Sequence, residues 1–275
     1  MPSSRTPTGI AYDRSGPRGR TTVVLLHAGV ADRRMWEPQW ERLTELRDAV
    51  RLDLRGFGES DQPPSSGVLD PVADLVETLD HLGVADCHLV GSSLGAGVAV
   101  EAALSRPELV RSLLLAPPGG SLLTERTPAF VAFAAAENGA MSRGDLDAAV
   151  EANLDAWVAG EGRELSDVDP AVTASVRGMQ RRAFDVDAAW TALELDLHEA
   201  ELEPAAVERL AEVVQPVLLV VGGRDLDTVR LAADALAADL PRVRRVDRSE
   251  AAHVPSMEEP DGFLRLLLEW AAEHD

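Results

Sequence analysis

The sequence predicts an α/β protein: a mostly parallel sheet of seven or eight strands with helices on both faces and an inserted helical cap. Three observations point there. Short Val- and Leu-rich runs alternate with segments of helical spacing through residues 22–116, the alternation resumes over residues 216–273, and the stretch between is helical with no convincing strand. Runs that stay apolar without a period of two mark strands buried on both faces, as in a parallel sheet covered by crossover helices. The expected organisation is a core of residues 1–116 and 215–275 interrupted by a helical cap at 117–214.

Residues 9–13 read as the one early strand. Further strands are expected at 22–26, 49–54, 87–90 and 110–116, each bounded by Gly, Pro or charged residues. Helices fall between them at 36–47, 71–82 and 94–106, the last stopping before Pro107, whose ring and missing N–H cannot continue it. Within 117–214, Gly139, Gly144, Gly160, Gly162, Pro170, Gly178 and Pro204 divide Ala-rich and acid-rich helical pieces. A strand at 216–221, a helix at 228–238, a strand at 243–247 and a helix at 260–273 complete the chain. Pro260 suits the first helical position, and Phe263, Leu267 and Trp270 share one face.

Composition removes several functions. Of 275 residues, 45% are hydrophobic and 27% charged, enough to bury a substantial core. The 26 basic residues against 47 acidic ones give a formal charge of -21, the wrong sign for nucleic acid or an anionic membrane surface, so the expected partner is a small-molecule substrate. Every basic side chain is Arg, which rules out a lysine Schiff base and the Lys of a nucleotide P-loop. Cys87 is the sole cysteine, so no intrachain disulfide or Cys-rich zinc site can form. No His or carboxylate cluster shows metal-ligand spacing, and neither metal nor cofactor is expected. Residues 1–10 carry no apolar leader and no window approaches about 18 apolar residues, which suggests a soluble, cytoplasmic protein.

The chemistry lies in the loops. The strand at 87–90 runs through Gly91-Ser92-Ser93-Leu94-Gly95 into a helix, the small-x-Ser-x-small pattern of a nucleophile elbow. Ser93 has glycines two before and two after; Ser92 has Val90 two before, which fits the tight turn badly. A serine hydroxyl needs a base to take its proton and an acid to orient that base. Of six histidines, His27 ends a strand, His88 lies inside one, His81 and His198 sit in helical patterns, and His274 is in the terminal tail. His253 alone occupies a loop, between the last strand and the last helix. Asp225 follows the penultimate strand directly and suits the acid, while Asp227 reads as an N-cap for the helix behind it. Loops at the carboxyl ends of parallel strands gather on one edge, so Ser93, Asp225 and His253 can meet.

The order Ser, acid, His resembles that of the α/β-hydrolase superfamily. Leu25-Leu26-His27-Ala28-Gly29 is similar to its His-Gly oxyanion turn, with Ala28 where Gly is common, and the run from Asp53 to Ser60 (DLRGFGES) is similar to its strand-four exit. The likeness spans about residue 10 to the carboxyl terminus. It implies that the backbone N–H groups of Leu94 and Gly29 form an oxyanion hole. Phe130, Phe133, Met141, Trp157, Met179 and Trp190 are candidates for an apolar substrate pocket or for the cap's own core.

The expected activity is cofactor-independent cleavage of a carboxylic ester through an acyl-enzyme. Lactone, enol-lactone, thioester or carbon–carbon hydrolysis on the same triad remain open, as does a non-catalytic receptor on this fold. A histidine base must be neutral, so turnover should fall as pH drops below the ordinary imidazole value of about 6.5. A flat pH–rate profile through that range would count against such a base.

Overall fold

The computed structural model describes residues 4–275; residues 1–3 of the amino-terminal segment read above lie outside them. In chain order the elements are β1 (Ser4–Arg5), β2 (Ala11–Ser15), β3 (Thr22–Leu26), α1 (Glu37–Leu46), β4 (Ala49–Leu52), β5 (Val68–Leu69), α2 (Pro71–Leu82), β6 (Cys87–Ser93), α3 (Leu94–Ser105) and β7 (Val110–Pro118). There follow α4 (Pro128–Ser142), α5 (Leu146–Asn153), α6 (Pro170–Thr191), β8 (His198–Glu199), β9 (Val217–Gly222), α7 (Asp227–Asp239), β10 (Val243–Arg248), α8 (Pro255–Glu258) and α9 (Pro260–Glu273). Eight strands form the main sheet in the order β1-β2-β4-β3-β6-β7-β9-β10. The β1/β2 and β2/β4 pairs are antiparallel and the other pairs parallel.

Side chains of the central strands alternate between the two faces, which is why both must be covered. Val23 and Leu25 of β3, Val90 of β6 and Leu218 and Val220 of β9 join one buried cluster with Leu43 of α1 and Phe263, Leu267 and Trp270 of α9. Val24, Leu26, Leu89, Leu219 and Val221 join the other, with Leu75 and Leu79 of α2, Val98 of α3 and Leu236 of α7. The shared face expected for α9 is therefore its buried one. Helix starts follow local chemistry: the Asp70 side chain accepts from Ala73 N–H at 2.8 Å, and Pro71 occupies the first turn of α2.

Three expectations change. The early segment contains two antiparallel strands, β1 and β2, where one was expected at 9–13; a two-residue strand leaves no apolar signature. The stretch 117–214 does contain a strand, β8, which pairs in parallel with β5 apart from the main sheet and takes His198 out of the helical pattern. Asp227 is the first residue of α7, not its cap; Leu226 precedes the helix, and the Asp227 carboxylate accepts from Thr228 N–H at 2.9 Å. Among the described residues no helix is long and apolar enough to cross a membrane.

His88, inside β6, is buried, with Nδ1 hydrogen-bonded to Ser112 Oγ at 2.8 Å and Nε2 lying 3.6 Å from the Asp275 carboxylate. Burial pushes its pKa down to about 4, against the upward pull of Asp275. The folded protein thus holds His88 neutral where the unfolded chain takes up a proton, so its stabilising contribution is present above pH 6.5 and lost as pH falls toward 4. We expect the stability difference between the wild type and His88→Gln to shrink by about 3 kcal/mol across that window. Urea titrations at several pH values measure it; a gap that stays constant would rule the coupling out.

Candidate active site

Ser93 ends β6 and immediately precedes α3, with φ 51° and ψ -110°, a conformation that costs a non-glycine residue strain. The turn is held by close backbone contact. A Cβ on Gly95 would stand 2.5 Å from the Leu26 carbonyl oxygen, and Gly95 N–H donates to His27 O at 3.1 Å, tying the elbow to the end of β3. Leu94 is the first residue of α3, so its N–H is one of the donors a helix leaves unpaired at its amino end. Gly29 comes beside it: a Cβ at Gly29 would lie 3.9 Å from Leu94 Cβ.

The turn that carries Gly29 is fixed by His27, which is fully buried. Its Nε2 accepts from Leu54 N–H at 2.9 Å and its Nδ1 donates to Ala28 O at 2.8 Å. One accepting and one donating nitrogen describe a neutral ring, and burial lowers the His27 pKa below the ordinary imidazole value. Ala28, at the position where the family it resembles commonly has glycine, is itself fully buried, and its N–H faces Met35 Sδ at 3.3 Å. In the loop beyond β4, Asp53 accepts from Arg33 N–H and Glu59 N–H, both at 2.8 Å, and also pairs with the Arg33 guanidinium. Ser60 Oγ donates to Asp53 O and accepts from Ala11 N–H, both at 2.8 Å.

Asp225 and His253 meet because β9 and β10 pair in parallel up to Gly222 opposite Arg248, so both following loops leave the same edge. A side chain at Gly222 would overlap the backbone of Ala252, so this glycine lets the two loops pack together. His253 Nδ1 lies 2.8 Å from Asp225 Oδ2 and 3.0 Å from Oδ1, with both residues at most 1% exposed. Asp225 Oδ1 also accepts from Leu226 N–H at 2.8 Å, and the Arg230 guanidinium donates to the Asp225 backbone carbonyl. The structure joins acid and imidazole directly. Among the described residues no hydrogen bond joins Ser93 Oγ to His253; the elbow stands on the same edge, at the end of β6, which is separated from β9 by β7 alone.

The insertion reaches this pair through residues that sequence patterning did not single out for it. Leu154–Ala159 form a π-helical turn, a distortion frequent at functional sites. Within it, the Trp157 ring sits 4.4 Å, centroid to centroid, from the His253 imidazole, and Trp157 O accepts from His253 N–H at 3.1 Å. Phe133 and Phe130 pack on the same indole at 5.1 and 6.4 Å. Arg163 donates to the carbonyls of Val158 and Ala159 and pairs with Glu258 at 2.7 Å, while Glu258 Oε1 accepts from Ala252 N–H at 2.8 Å. Burial pushes the Glu258 carboxyl above its ordinary range even with Arg163 beside it.

Two cavities adjoin the site. One, of about 720 Å³, is bordered by Gly29, Phe57, Met141, Gln180 and Trp190. The other, of about 910 Å³, is bordered by Leu94, Val98, Glu101 and Gly120, and the two share Arg55, Phe57, Leu69 and Glu199. Of the six pocket candidates, Met141 and Trp190 lie on these walls. The rest do not: Phe130, Phe133 and Trp157 pack against one another beside His253, and Met179 is 1% exposed inside the core. An inward-facing helix presents the same apolar pattern to a core as to a cavity. A third cavity, bordered by Arg20, Thr22, Gly83 and Asp86, lies at the amino end of β3, on the opposite edge of the sheet. Among the described residues, no cluster of His, Cys, Asp or Glu could hold a metal ion.

This fold and these loops define a recognised class. The alpha/beta hydrolase family pattern matches residues 23–266, and the chain belongs to that family; it is a hydrolase. A relative from Azorhizobium caulinodans, provisionally named as carbamate hydrolase RutD, is 28% identical over 267 residues, covering 94% of each chain. A protein of the same name from Pseudomonas savastanoi pv. phaseolicola is 26% identical over 256 residues, covering 90% of this chain and 93% of its own. Among solved structures, a thermophilic esterase from Thermogutta terrifontis superposes with a TM-score of 0.75 at 25% identity, covering 99% of this chain and 97% of the other.

Removing Glu258 would leave the largely buried Arg163 charge unpaired and free the backbone next to His253. We expect Glu258→Ala to cost about 3 kcal/mol of stability and to lower kcat, with Glu258→Gln, which keeps an acceptor for Ala252 N–H, milder in both. Thermal melts and turnover assays on the two variants check this. An unaltered melting point and kcat in Glu258→Ala would mean the loop is held by other contacts.

Proposed function

We propose that the protein is a cofactor-independent serine hydrolase of carboxylic esters acting on a small-molecule substrate. The observation that carries this reading is the buried His253–Asp225 pair on the edge where Ser93 sits in a strained elbow. In this mechanism His253 Nε2 takes the Ser93 proton as Oγ attacks the ester carbonyl. The oxyanion is met by the N–H groups of Leu94 and Gly29, donors already in place before charge develops, each worth about 3 kcal/mol by precedent. His253 passes the proton to the departing alcohol, and water, activated by the same ring, releases the acyl group. Asp225 keeps Nδ1 protonated and balances the imidazolium, whose formation in a buried site would otherwise be costly.

Residues 117–214 act in this reading as a cap over the sheet edge, and the two cavities that share Phe57 divide the acyl and alcohol portions of the substrate. Burial pushes the Cys87 thiol up, so this lone cysteine stays an unreactive packing group, in keeping with a cytoplasmic setting. The names of the relatives add carbamates to the ester, lactone and thioester classes worth assaying, since all present an acyl carbon to the same nucleophile.

Ser93→Ala and His253→Ala are each expected to lower ester turnover by about four to six orders of magnitude, and Asp225→Asn by about four. Nitrophenyl esters with a fluorophosphonate label on Ser93 provide the measurement. Full turnover in Ser93→Ala, or an unlabelled Ser93 in protein that binds ligands tightly, would overturn the assignment.

A further inference from the structure

The Trp157 indole meets the His253 imidazole with ring centroids 4.4 Å apart and planes inclined at 44°. Two flat rings touching rim to rim would keep their centres roughly 6 Å apart, the sum of their in-plane radii and a carbon–carbon contact. At the observed separation the contact therefore takes in a ring face. Phe133 and Phe130 pack edgewise on the same indole, at 5.1 Å and 77° and at 6.4 Å and 65°. Trp157 is 7% exposed and borders neither cavity of the site. The bond from His253 N–H to Trp157 O is made by the main chain, so a new side chain at 157 leaves its donor and acceptor present.

The charged groups on the elements around the Asp225–His253 pair have partners of their own. Glu258 of α8 pairs with Arg163 of the insertion, Arg230 of α7 with Glu161, and Arg224 with Glu250. The neighbours from α4, Phe130 and Phe133, are apolar. An imidazolium at His253, a residue 1% exposed, thus has the Asp225 carboxylate on Nδ1 and little water to solvate it. An aromatic face within about 6 Å attracts a cation through its quadrupole, more strongly where water is excluded.

We propose that Trp157 is a positioning residue for the base: its π face holds the His253 ring against Asp225 and stabilises the imidazolium that forms when the Ser93 proton moves to Nε2. The inference rests on the serine-hydrolase reading, in which His253 carries that proton until the departing alcohol takes it. Losing the face makes the ring a weaker base without altering the cavities that hold the substrate.

The test compares the wild type with Trp157→Phe, which keeps a smaller aromatic face, and Trp157→Leu, which is apolar without one. In p-nitrophenyl ester assays from pH 5 to 9, the midpoint of the acid limb of kcat/KM should move down by about half a pH unit or more in Trp157→Leu, with Trp157→Phe between it and the wild type. At the plateau, kcat should fall by about threefold or more in Trp157→Leu while KM stays within about twofold. A Trp157→Leu midpoint at or above that of Trp157→Phe overturns the proposal, an upward move marking a ring that only keeps water out. If Trp157→Leu does not fold, Trp157→Met takes its place in the same comparison. Failure of the hydrolase reading looks different: no ester is cleaved, or Ser93→Ala cleaves them undiminished. Proton NMR then decides, by titrating the His253 Cε1–H resonance, assigned by its loss in His253→Gln, in the wild type and both Trp157 variants. A lower midpoint in the variant without the aromatic face supports the contact, and an equal or higher one overturns it.

Discussion

The imidazole of His253 has one nitrogen spoken for. With Nδ1 held by a carboxylate that is itself out of water, the ring is left a single free nitrogen and a fixed plane, and nearby groups are arranged around that restriction. Asp225 is kept in position by its contact with Leu226 N–H and by the Arg230 guanidinium on its backbone carbonyl. The loops bearing the two residues come from adjacent parallel strands and pack backbone to backbone at Gly222. A polar pair buried this deeply has to be assembled by the sheet, because neither group could be buried alone.

The sheet does this by being covered on both sides. Alternate residues of β3, β6 and β9 enter separate apolar clusters, so sliding a strand by one residue would transfer its whole side-chain set to the wrong layer. That register fixes where each strand ends, and the ends fix the site: the elbow after β6, the acid after β9 and the imidazole after β10. His27 serves the same purpose as a spacer. By hydrogen-bonding Leu54 N–H and Ala28 O it links the exits of β3 and β4 and sets the turn that carries Gly29.

What could be read from the sequence was what a short window encodes. The apolar runs of β3, β6, β7 and β9 are continuous because those strands are buried on both faces, and Gly-x-Ser-x-Gly is continuous because one turn contains it. Strands β1, β5 and β8, of two residues each, left no periodic trace. The π-helical turn bearing Trp157 looked like any aromatic helix. Its contact with His253 depends on a fold that brings together residues far apart in the chain, as does the Arg163–Glu258 pair. The pocket candidates divided for the same reason: Met141 and Trp190 border a cavity while Met179 fills the core, and hydropathy scores the two destinations alike.

The turn at 154–159 both stacks on the imidazole and takes its backbone N–H, and the Arg163–Glu258 pair clamps it to the histidine loop. A rigid swing of that end of the insertion would drag the histidine with it. At β5 and β8, by contrast, the backbone pairing is a two-residue ladder, and Leu195 and Val68 lie open to solvent. The two ends of this stretch are thus held differently, one locked to the loop that carries His253 and the other lightly paired.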